Sequence, residues 1–257
     1  MTYALKLEQP AKTKPALKLV RTRDLSRDEW LTVRRQGIGS SDAAAAVGLN
    51  PYKSQLQLWM EKTGRDGALP VVDPSDEQSP MYWGTLLEPI VAAHYTRRSG
   101  HRVRRVNAVL QHPEHPWMLA NIDREVVGAS DVQILECKTA GIHGARLWRD
   151  GVPEYVQLQV MHQLAVTGKQ AADVAVLLGG QELQAFRIER DDTLIAQLVA
   201  LFPVAILAGL HARVGQRLDI GGQFARLFHH QAQHVAQGYQ RVQRRFDGGL
   251  TAFSGQG

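Results

Sequence analysis

The chain has 257 residues, of which 44% are hydrophobic and 21% are charged, as in an ordinary globular protein with a sizeable core. Its single cysteine excludes an intramolecular disulfide framework and a multi-cysteine zinc or iron–sulfur site. No apolar run reaches the roughly 18 residues of a transmembrane helix, and the basic N-terminus lacks the apolar stretch of a secretory signal. We therefore expect a cytoplasmic protein without a membrane partner.

The net charge of +5 is concentrated at the two ends of the chain. Residues 1–23 hold six Lys/Arg and one Glu, residues 210–257 hold six Arg and two Asp, and residues 24–209 hold 18 basic and 22 acidic residues. Basic ends suit a polyanion such as nucleic acid, although charged tails can equally serve solubility alone. In a nucleic-acid-binding protein, a mildly acidic centre is consistent with carboxylates held for a cation. We expect three parts: a basic flexible arm (1–23), a catalytic domain (24–210) and a basic Gln/His/Arg-rich tail (211–257).

The first half of the central domain has the signals of helices. "SRDEWLTVRRQ" begins with a capping pattern and predicts a helix, after which a Gly/Ser turn leads into a short Ala-rich helix that ends at Gly48. "SQLQLWMEKTG" predicts another helix, stopped by Gly64. Residues 67–80 have the composition of a loop, and a helix is expected at Leu86–Arg98.

The second half alternates between strands and helices. Three extended runs, "RVRRVNAVLQHP", "WMLANIDREVVG" and "VQILECKTA", precede a helix, "VPEYVQLQVMHQLAVTG". Two further strands are joined by Gly179-Gly180, a hairpin signal, and a helix with a kink at Pro203 follows. This order predicts an α/β fold with a mixed central sheet flanked by helices.

The stretch "ILECKTAG" places an acid and a base on one face of an apolar strand, because Glu136 and Lys138 are two residues apart. Asp123 precedes Glu136 by 13 residues and can lie beside it on the adjacent strand of a hairpin. Two carboxylates suit Mg²⁺, which polarises a phosphoryl oxygen, and a neighbouring lysine can orient a water. The alternative is a solvated hairpin with a cross-strand ion pair, worth about 0–1 kcal/mol. The apolar neighbours of Glu136 favour a core strand.

Two more polar residues are candidates for the same site. Glu88 is expected in the first turn of a helix, where it either completes a capping box with Thr85 or supports a metal through water. Pro89 disturbs such a cap because it has no N–H to donate. Gln157 lies on an apolar stripe of its helix, so its amide either is satisfied within the core or binds the attacking water or a phosphate.

Four motifs in order resemble the YqaJ-type viral recombinases, which are similar to the phage lambda exonuclease of the PD-(D/E)xK nuclease superfamily. They are "VRRQGIGSSDAAAAVGLNPY", "WGTLLEPIVAAHY", "ANIDREVV…ILECKTAG" and "EYVQLQVMHQLAVTG", and the resemblance spans about residues 28–190. It implies a restriction-endonuclease-like core and 5′→3′ digestion of one strand of linear double-stranded DNA, with two Mg²⁺ ions or Mn²⁺ as a substitute. It also implies a phage or prophage context, a single-strand annealing protein as partner, and a homotrimer ring around DNA.

The resemblance also assigns roles to residues. It implies metal ligation by Asp123, Glu136 and the backbone carbonyl of Cys137, water activation by Lys138, and further catalytic roles for Glu88 and Gln157. It further implies binding of a DNA 5′-phosphate by Arg35, Ser40 and Ser41, in a Gly-flanked turn that can offer backbone N–H groups to an anion. An N-capping serine is the alternative for that turn. One departure is the segment "ANID", which has no proline before Asp123.

The alternatives to an exonuclease are a PD-(D/E)xK endonuclease of restriction or repair, and a non-catalytic DNA-binding protein. The basic ends favour the latter, which would bind DNA in a salt-sensitive way without Mg²⁺-dependent cleavage.

Overall fold

A computed structural model describes residues 14–70 and 73–201 of the chain. The predicted tail (211–257), the expected kink at Pro203 and the first 13 residues of the predicted arm lie outside the described residues. The helices are α1 (Arg27–Arg35), α2 (Ala43–Ala46), α3 (Gln55–Thr63), α4 (Pro80–Ser99) and α5 (Glu154–Thr167), and residues 192–201 are also helical. The strands are β1 (Leu17–Arg21), β2 (Arg102–Arg105), β3 (Ala108–Gln111), β4 (Leu119–Ala120), β5 (Arg124–Val127), β6 (Ile134–Ala140), β7 (Ala171–Leu178) and β8 (Glu182–Glu189).

The main sheet has five strands in the order β2-β5-β6-β7-β8, and it is mixed as predicted. Strands β6 and β7 are parallel because α5 crosses between them, whereas the other neighbouring strands are antiparallel. β7 and β8 form the expected hairpin, in which Gly179 and Gly180 both have positive φ, 57° and 76°. A smaller sheet has the order β1-β3-β4.

Helix α5 is the centre of the larger apolar core. Val156, Leu158 and every residue from 160 to 167 are buried, and they pack with the buried alanines of α2 and the inner face of the main sheet. On the opposite face of the sheet, α4 contributes Val91, Ala92 and Tyr95 to a second cluster. The sheet therefore has a helix on each face, and its central strand β6 lies between them.

The N-terminal arm and the start of α4 differ from the sequence predictions. Residues 17–21 of the predicted flexible arm form β1, because the backbone of this short Leu/Val segment pairs with β3. Helix α4 begins at Pro80 rather than near residue 86, since Ser79 caps it and proline suits the first helical position. Glu88 therefore lies in the third turn of α4, and Pro89 is inside the helix. None of the helices in these described ranges is long and apolar enough to cross a membrane.

Candidate functional site

The antiparallel pairing of β5 with β6 brings the two predicted metal-binding carboxylates together. Arg124 is opposite Leu135, so Asp123, one residue earlier, lies at the level of Glu136. Oδ2 of Asp123 accepts a hydrogen bond from the Cys137 backbone N–H at 2.8 Å. The hairpin predicted from the sequence therefore exists, and it places a carboxylate from each strand at the same site.

Three donors surround the Glu136 carboxylate, which is 3% exposed. Nζ of Lys138 lies 2.7 Å from Oε1, and the amide of Gln159 donates to the same oxygen at 2.5 Å. The buried amide of Gln163 donates to Oε2 at 2.7 Å and to the carbonyl of Asn121 at 3.1 Å. Lys138 also donates to Oε1 of Gln159 at 3.0 Å. Glu136 is thus held rigidly by one cation and two amides.

Burial and mutual repulsion disturb the titration of the acidic pair. Burial, and after it the negative charge of Glu136, raise the pKa of Asp123 to about 8. Burial would lower the pKa of Lys138, but the charges of Glu136 and Asp123 outweigh it and raise that pKa above its ordinary value. In the metal-free protein Asp123 is therefore mostly protonated at neutral pH, and a bound cation would favour its ionised form.

The side chain of Cys137 points away from this acidic face. It packs against the second apolar cluster, between the sheet and α4. Burial and the neighbouring carboxylates raise the pKa of its thiol, so the thiol is protonated at neutral pH and is a poor nucleophile.

Glu88 reaches the edge of the site but is bound to an arginine. Its Oε1 accepts a hydrogen bond from Arg124 at 2.5 Å, and the same guanidinium nitrogen donates to the carbonyl of Asp123 at 2.8 Å. The negative charge of Glu88 contributes to the raised pKa of Asp123. Arg124 was missed from the sequence, although its position directly after Asp123 on a strand could have indicated it.

Gln157 is not brought into the cluster. Its amide donates to the carbonyl of Val152 at 2.6 Å, in the turn before α5. Gln159 and Gln163, which sequence reasoning passed over, make the contacts with Glu136 instead. A single apolar stripe was a poor guide because α5 is buried on nearly every side.

A second polar cluster surrounds Asp42, which is 1% exposed. Arg34 donates to its Oδ1 at 3.1 Å, and Lys62 donates to its Oδ2 at 2.6 Å. Burial alone would raise the pKa of Asp42, but Arg34, Lys62 and Lys53 together lower it to about 2. The carboxylate is therefore ionised throughout the neutral range.

The three residues predicted to bind the 5′-phosphate lie in different places relative to this second cluster. Ser41 is exposed and accepts a hydrogen bond from Nη2 of Arg34 at 2.9 Å. Arg35 points elsewhere and pairs with Asp66 at 2.9 Å. Ser40 is buried, 3.2 Å from Nδ1 of His162. Of the three predicted residues, only Ser41 is therefore at the solvent-facing side of this cluster, and its partner is Arg34.

The residues at Asp123 and Glu136 fit a hard divalent cation. A carboxylate has about four lone-pair positions, and Glu136 uses three of them for the donors above. Among the described residues, only Cys137 donates to Asp123. No group of three or more His, Cys, Asp or Glu side chains is arranged to hold a metal anywhere in residues 14–70 and 73–201. A metal here would therefore use two carboxylates, with backbone carbonyl, water and substrate oxygens completing its coordination, as Mg²⁺ commonly does.

Comparison with known proteins identifies relatives of this arrangement. Residues 29–170 match the YqaJ-like viral recombinase domain family. The protein YqaJ of Bacillus subtilis (strain 168), whose name describes it as uncharacterized, is 45% identical over 186 residues, which are 71% of this chain and 56% of that protein. The chain thus spans little more than half the length of that relative. Protein D345L of African swine fever virus is 35% identical over 63 residues, which are 24% of this chain and 16% of that protein.

Two solved structures share the fold. The alkaline exonuclease LHK-Exo of Laribacter hongkongensis superimposes with a TM-score of 0.59 at 24% identity, covering 78% of this chain and 99% of that one. The structure of LHK-Exo in complex with dAMP gives a TM-score of 0.57 at 25% identity, with the same coverage. The predicted PD-(D/E)xK fold class is therefore confirmed.

Proposed function

The chain belongs to the YqaJ-like viral recombinase family, and from this membership and the site we propose that it is a Mg²⁺-dependent deoxyribonuclease. We further propose that it digests one strand of linear double-stranded DNA in the 5′→3′ direction, as an exonuclease of phage-type recombination. The observation that carries this proposal is the grouping of Asp123, Glu136 and Lys138 at the centre of the sheet.

In this mechanism, Asp123, Glu136 and the Cys137 carbonyl would hold Mg²⁺, which would supply Lewis-acid activation of the phosphodiester and lower the pKa of a water. The N–H of Cys137 points towards Asp123. The N–H and C=O of a strand residue point to the same side, so the Cys137 carbonyl is available from that side too. Two ions, or Mn²⁺ in place of Mg²⁺, suit the same hard oxygen ligands.

Lys138 and Gln159 have the positions to manage the attacking water. Lys138 is cationic at neutral pH, so it can orient the water through a donated hydrogen bond and offset the charge that develops on the phosphate oxygens. Gln159 contacts both Lys138 and Glu136, so we assign to it the positioning role that the sequence suggested for Gln157. Glu88 acts indirectly, since it fixes Arg124 next to Asp123.

Arg34 and Ser41 are the proposed ligands of the DNA 5′-phosphate. A guanidinium and a hydroxyl in contact, beside the turn that contains Gly39, form an arrangement that suits a phosphate. We propose that this subsite gives the enzyme its preference for a 5′ end. Asp42 then has a structural role: it holds Arg34 and Lys62 in place without reaching solvent.

A digestion assay tests the proposal directly. Purified protein with MgCl₂ should release nucleotides from linear duplex DNA that carries a 5′-phosphate, and EDTA should stop the release. Covalently closed circles should remain intact, whereas nicking of circles would favour an endonuclease. Digestion that survives Glu136→Gln and Lys138→Met together would contradict the assignment of the site, and DNA binding without Mg²⁺-dependent cleavage would leave only a DNA-binding protein.

Family membership also supports a cytoplasmic protein that works with a single-strand annealing protein and forms a ring-shaped trimer around DNA. Analytical ultracentrifugation of the full-length chain tests the trimer, and a monomeric mass at micromolar concentration would contradict it.

A further inference from the structure

One ridge of α5 continues past the acidic site. Gln163 and Gln159 are four residues apart on this ridge and both donate to Glu136. Residues four apart lie above one another on a helix, so Tyr155 is the next member of the ridge, towards the start of α5. The distance along the helix axis from Gln159 to Tyr155 is about 6 Å, which is on the scale of one nucleotide.

Tyr52 contacts this ridge from outside. Its ring is perpendicular to the ring of Tyr155, with 5.6 Å between the centroids and an interplanar angle of 87°. Tyr155 is half-buried against the larger core, whereas Tyr52 is 68% exposed. The Tyr52 ring is thus supported by Tyr155, which is near enough to Lys138 to influence the pKa of that ammonium, and most of the Tyr52 ring remains open to solvent.

The loop that carries Tyr52 is firmly attached. The side-chain oxygen of Asn50 accepts hydrogen bonds from the backbone N–H groups of Tyr52 at 2.8 Å and of Lys53 at 3.1 Å. Lys53 in turn pairs with Glu61 on α3 at 2.7 Å and lies 4.0 Å from Asp42. The exposed ring is therefore preorganised, and its loop connects directly to the cluster that holds Arg34.

We propose that Tyr52 is a stacking platform for a nucleobase of the digested strand, within one nucleotide of the cleaved bond, and that Tyr155 positions its ring. This inference rests on the proposed nuclease function. An aromatic ring binds every base through its π-face, so the platform would act without sequence preference. It would keep the end of the strand separated from its complement while its phosphate lies at Lys138.

Tyr52→Ala should lower kcat/KM on an ordinary duplex end by roughly 5- to 150-fold, the range that stacking of one base provides. Wild-type protein should lose a similar factor when the first or second nucleotide of the digested strand is replaced by an abasic tetrahydrofuran. Tyr52→Ala should lose little more on that abasic substrate, because the interaction is already absent. Tyr52→Phe should keep the wild-type response, and Tyr52→Leu, which retains bulk without a π-face, should behave like Tyr52→Ala.

Leu56→Ala is the matched control, since Leu56 is a similarly exposed apolar residue on the adjacent helix α3. It should digest both substrates at the wild-type rate. Equal losses for Tyr52→Ala on the intact and abasic ends, or no loss on either, would overturn the platform while leaving the nuclease assignment in place. Failure of the wild-type protein to digest either substrate in Mg²⁺ would instead overturn the proposed function.

Discussion

Lys138 and Glu136 form an ion pair of 2.7 Å in which the carboxylate is 3% exposed and the lysine side chain is 25% exposed. Breaking a buried pair by removing one partner typically costs about 3–5 kcal/mol, because the other charge is left uncompensated. Lys138→Met should therefore destabilise the protein by this order of magnitude, because it leaves the buried Glu136 carboxylate without its cation. Glu136→Gln should cost less, since Lys138 is more exposed, still lies beside Asp123, and the unfavourable interaction of Glu136 with Asp123 is removed.

A double-mutant cycle measured by urea unfolding checks this coupling. The double variant should be less destabilised than the two single variants together, by about 0.5–3 kcal/mol. All three variants should lose at least about 10²-fold in Mg²⁺-dependent digestion, since each loses a group that acts on the developing charge. Additive free energies of unfolding would show that the two side chains do not form this pair in solution.

Asp123 is expected to lower the folding stability of the metal-free protein and to serve as a ligand when the metal is present. Its carboxylate is partly buried beside Glu136, with a backbone N–H as its one hydrogen-bond donor among the described residues. Asp123→Asn should therefore melt at a higher temperature than wild-type protein in EDTA at neutral pH, because the cost of burying a carboxyl group beside Glu136 is removed. In MgCl₂ at about 100 times the dissociation constant, wild-type protein should gain about 2.7 kcal/mol, while the variant should gain almost nothing.

Thermal melting of the two proteins in EDTA and in MgCl₂ provides the measurement. A matched control is Asp66→Asn, at an exposed ion pair with Arg35, which should respond to Mg²⁺ as wild-type protein does. An equal Mg²⁺ shift in the Asp123→Asn variant would exclude Asp123 as a ligand.

Gln159 and Gln157 differ in position by two residues and should differ strongly in effect. Gln159 contacts Glu136 and Lys138, whereas Gln157 donates to the carbonyl of Val152. Gln159→Ala should lower kcat by about tenfold or more with a smaller change in KM, because it disturbs groups that act in the transition state. Gln157→Ala should leave kcat within a few-fold of wild type. The reverse order would restore the assignment made from sequence.

The alternation of the β6 sequence made the acidic site predictable. Glu136 and Lys138 share a face of a strand by their spacing alone, and Asp123 needed only an antiparallel partner strand. The fold class was also predictable, because the periodicity of each segment indicated the order of helices and strands. Local periodicity specifies a face well where one side of an element is polar.

The roles of the remaining site residues could not be predicted from sequence periodicity, because those roles depend on tertiary contacts. Helix α5 is buried on nearly every side, so its pattern contains no reason to prefer Gln157, Gln159 or Gln163. Arg34 and Arg35 are adjacent, but consecutive helical residues point about 100° apart, and only tertiary contacts with Asp42 and Asp66 separate their roles. Glu88 was placed too early in its helix because Thr85 and Glu88 matched a capping box, whereas Ser79 caps α4 and both residues lie inside it.

Arg34 and Arg35 offer a matched pair for the 5′-phosphate subsite. Arg34→Gln should lower kcat/KM on 5′-phosphorylated ends and largely abolish the preference for them over 5′-hydroxyl ends, since a charge-assisted bond to the phosphate is lost. Arg35→Gln should retain that preference, because Arg35 pairs with Asp66. Melting temperatures must be compared, as Arg34 also supports Asp42. A preference that is unchanged in Arg34→Gln would place the phosphate elsewhere.

The buried His162 is expected to make the stability of the protein fall as the pH is lowered. Burial lowers its pKa to about 3, with Asp42 opposing this shift and with His112 and Lys62 adding to it. In the unfolded chain the pKa is near 6.5, so the unfolded state binds the proton first. The free energy of unfolding is therefore unaffected by His162 above pH 6.5. Below pH 6.5 it declines by about 1.4 kcal/mol per pH unit, until the pKa of the folded state is reached. The stability that Asp42 contributes is lost only below about pH 3.8, as the pH falls from the pKa of the unfolded chain to the folded pKa of about 2.

Urea unfolding between pH 7.5 and 4.5 measures this loss. Wild-type protein should lose roughly 3 kcal/mol more than His162→Gln over that range, because glutamine can keep a hydrogen bond to Ser40 but does not titrate. Comparing the two proteins cancels the contributions of the acidic residues that they share. His94→Gln, at an exposed position on α4, should follow the wild-type curve. Parallel curves for wild type and His162→Gln would mean that His162 is protonated in the folded protein.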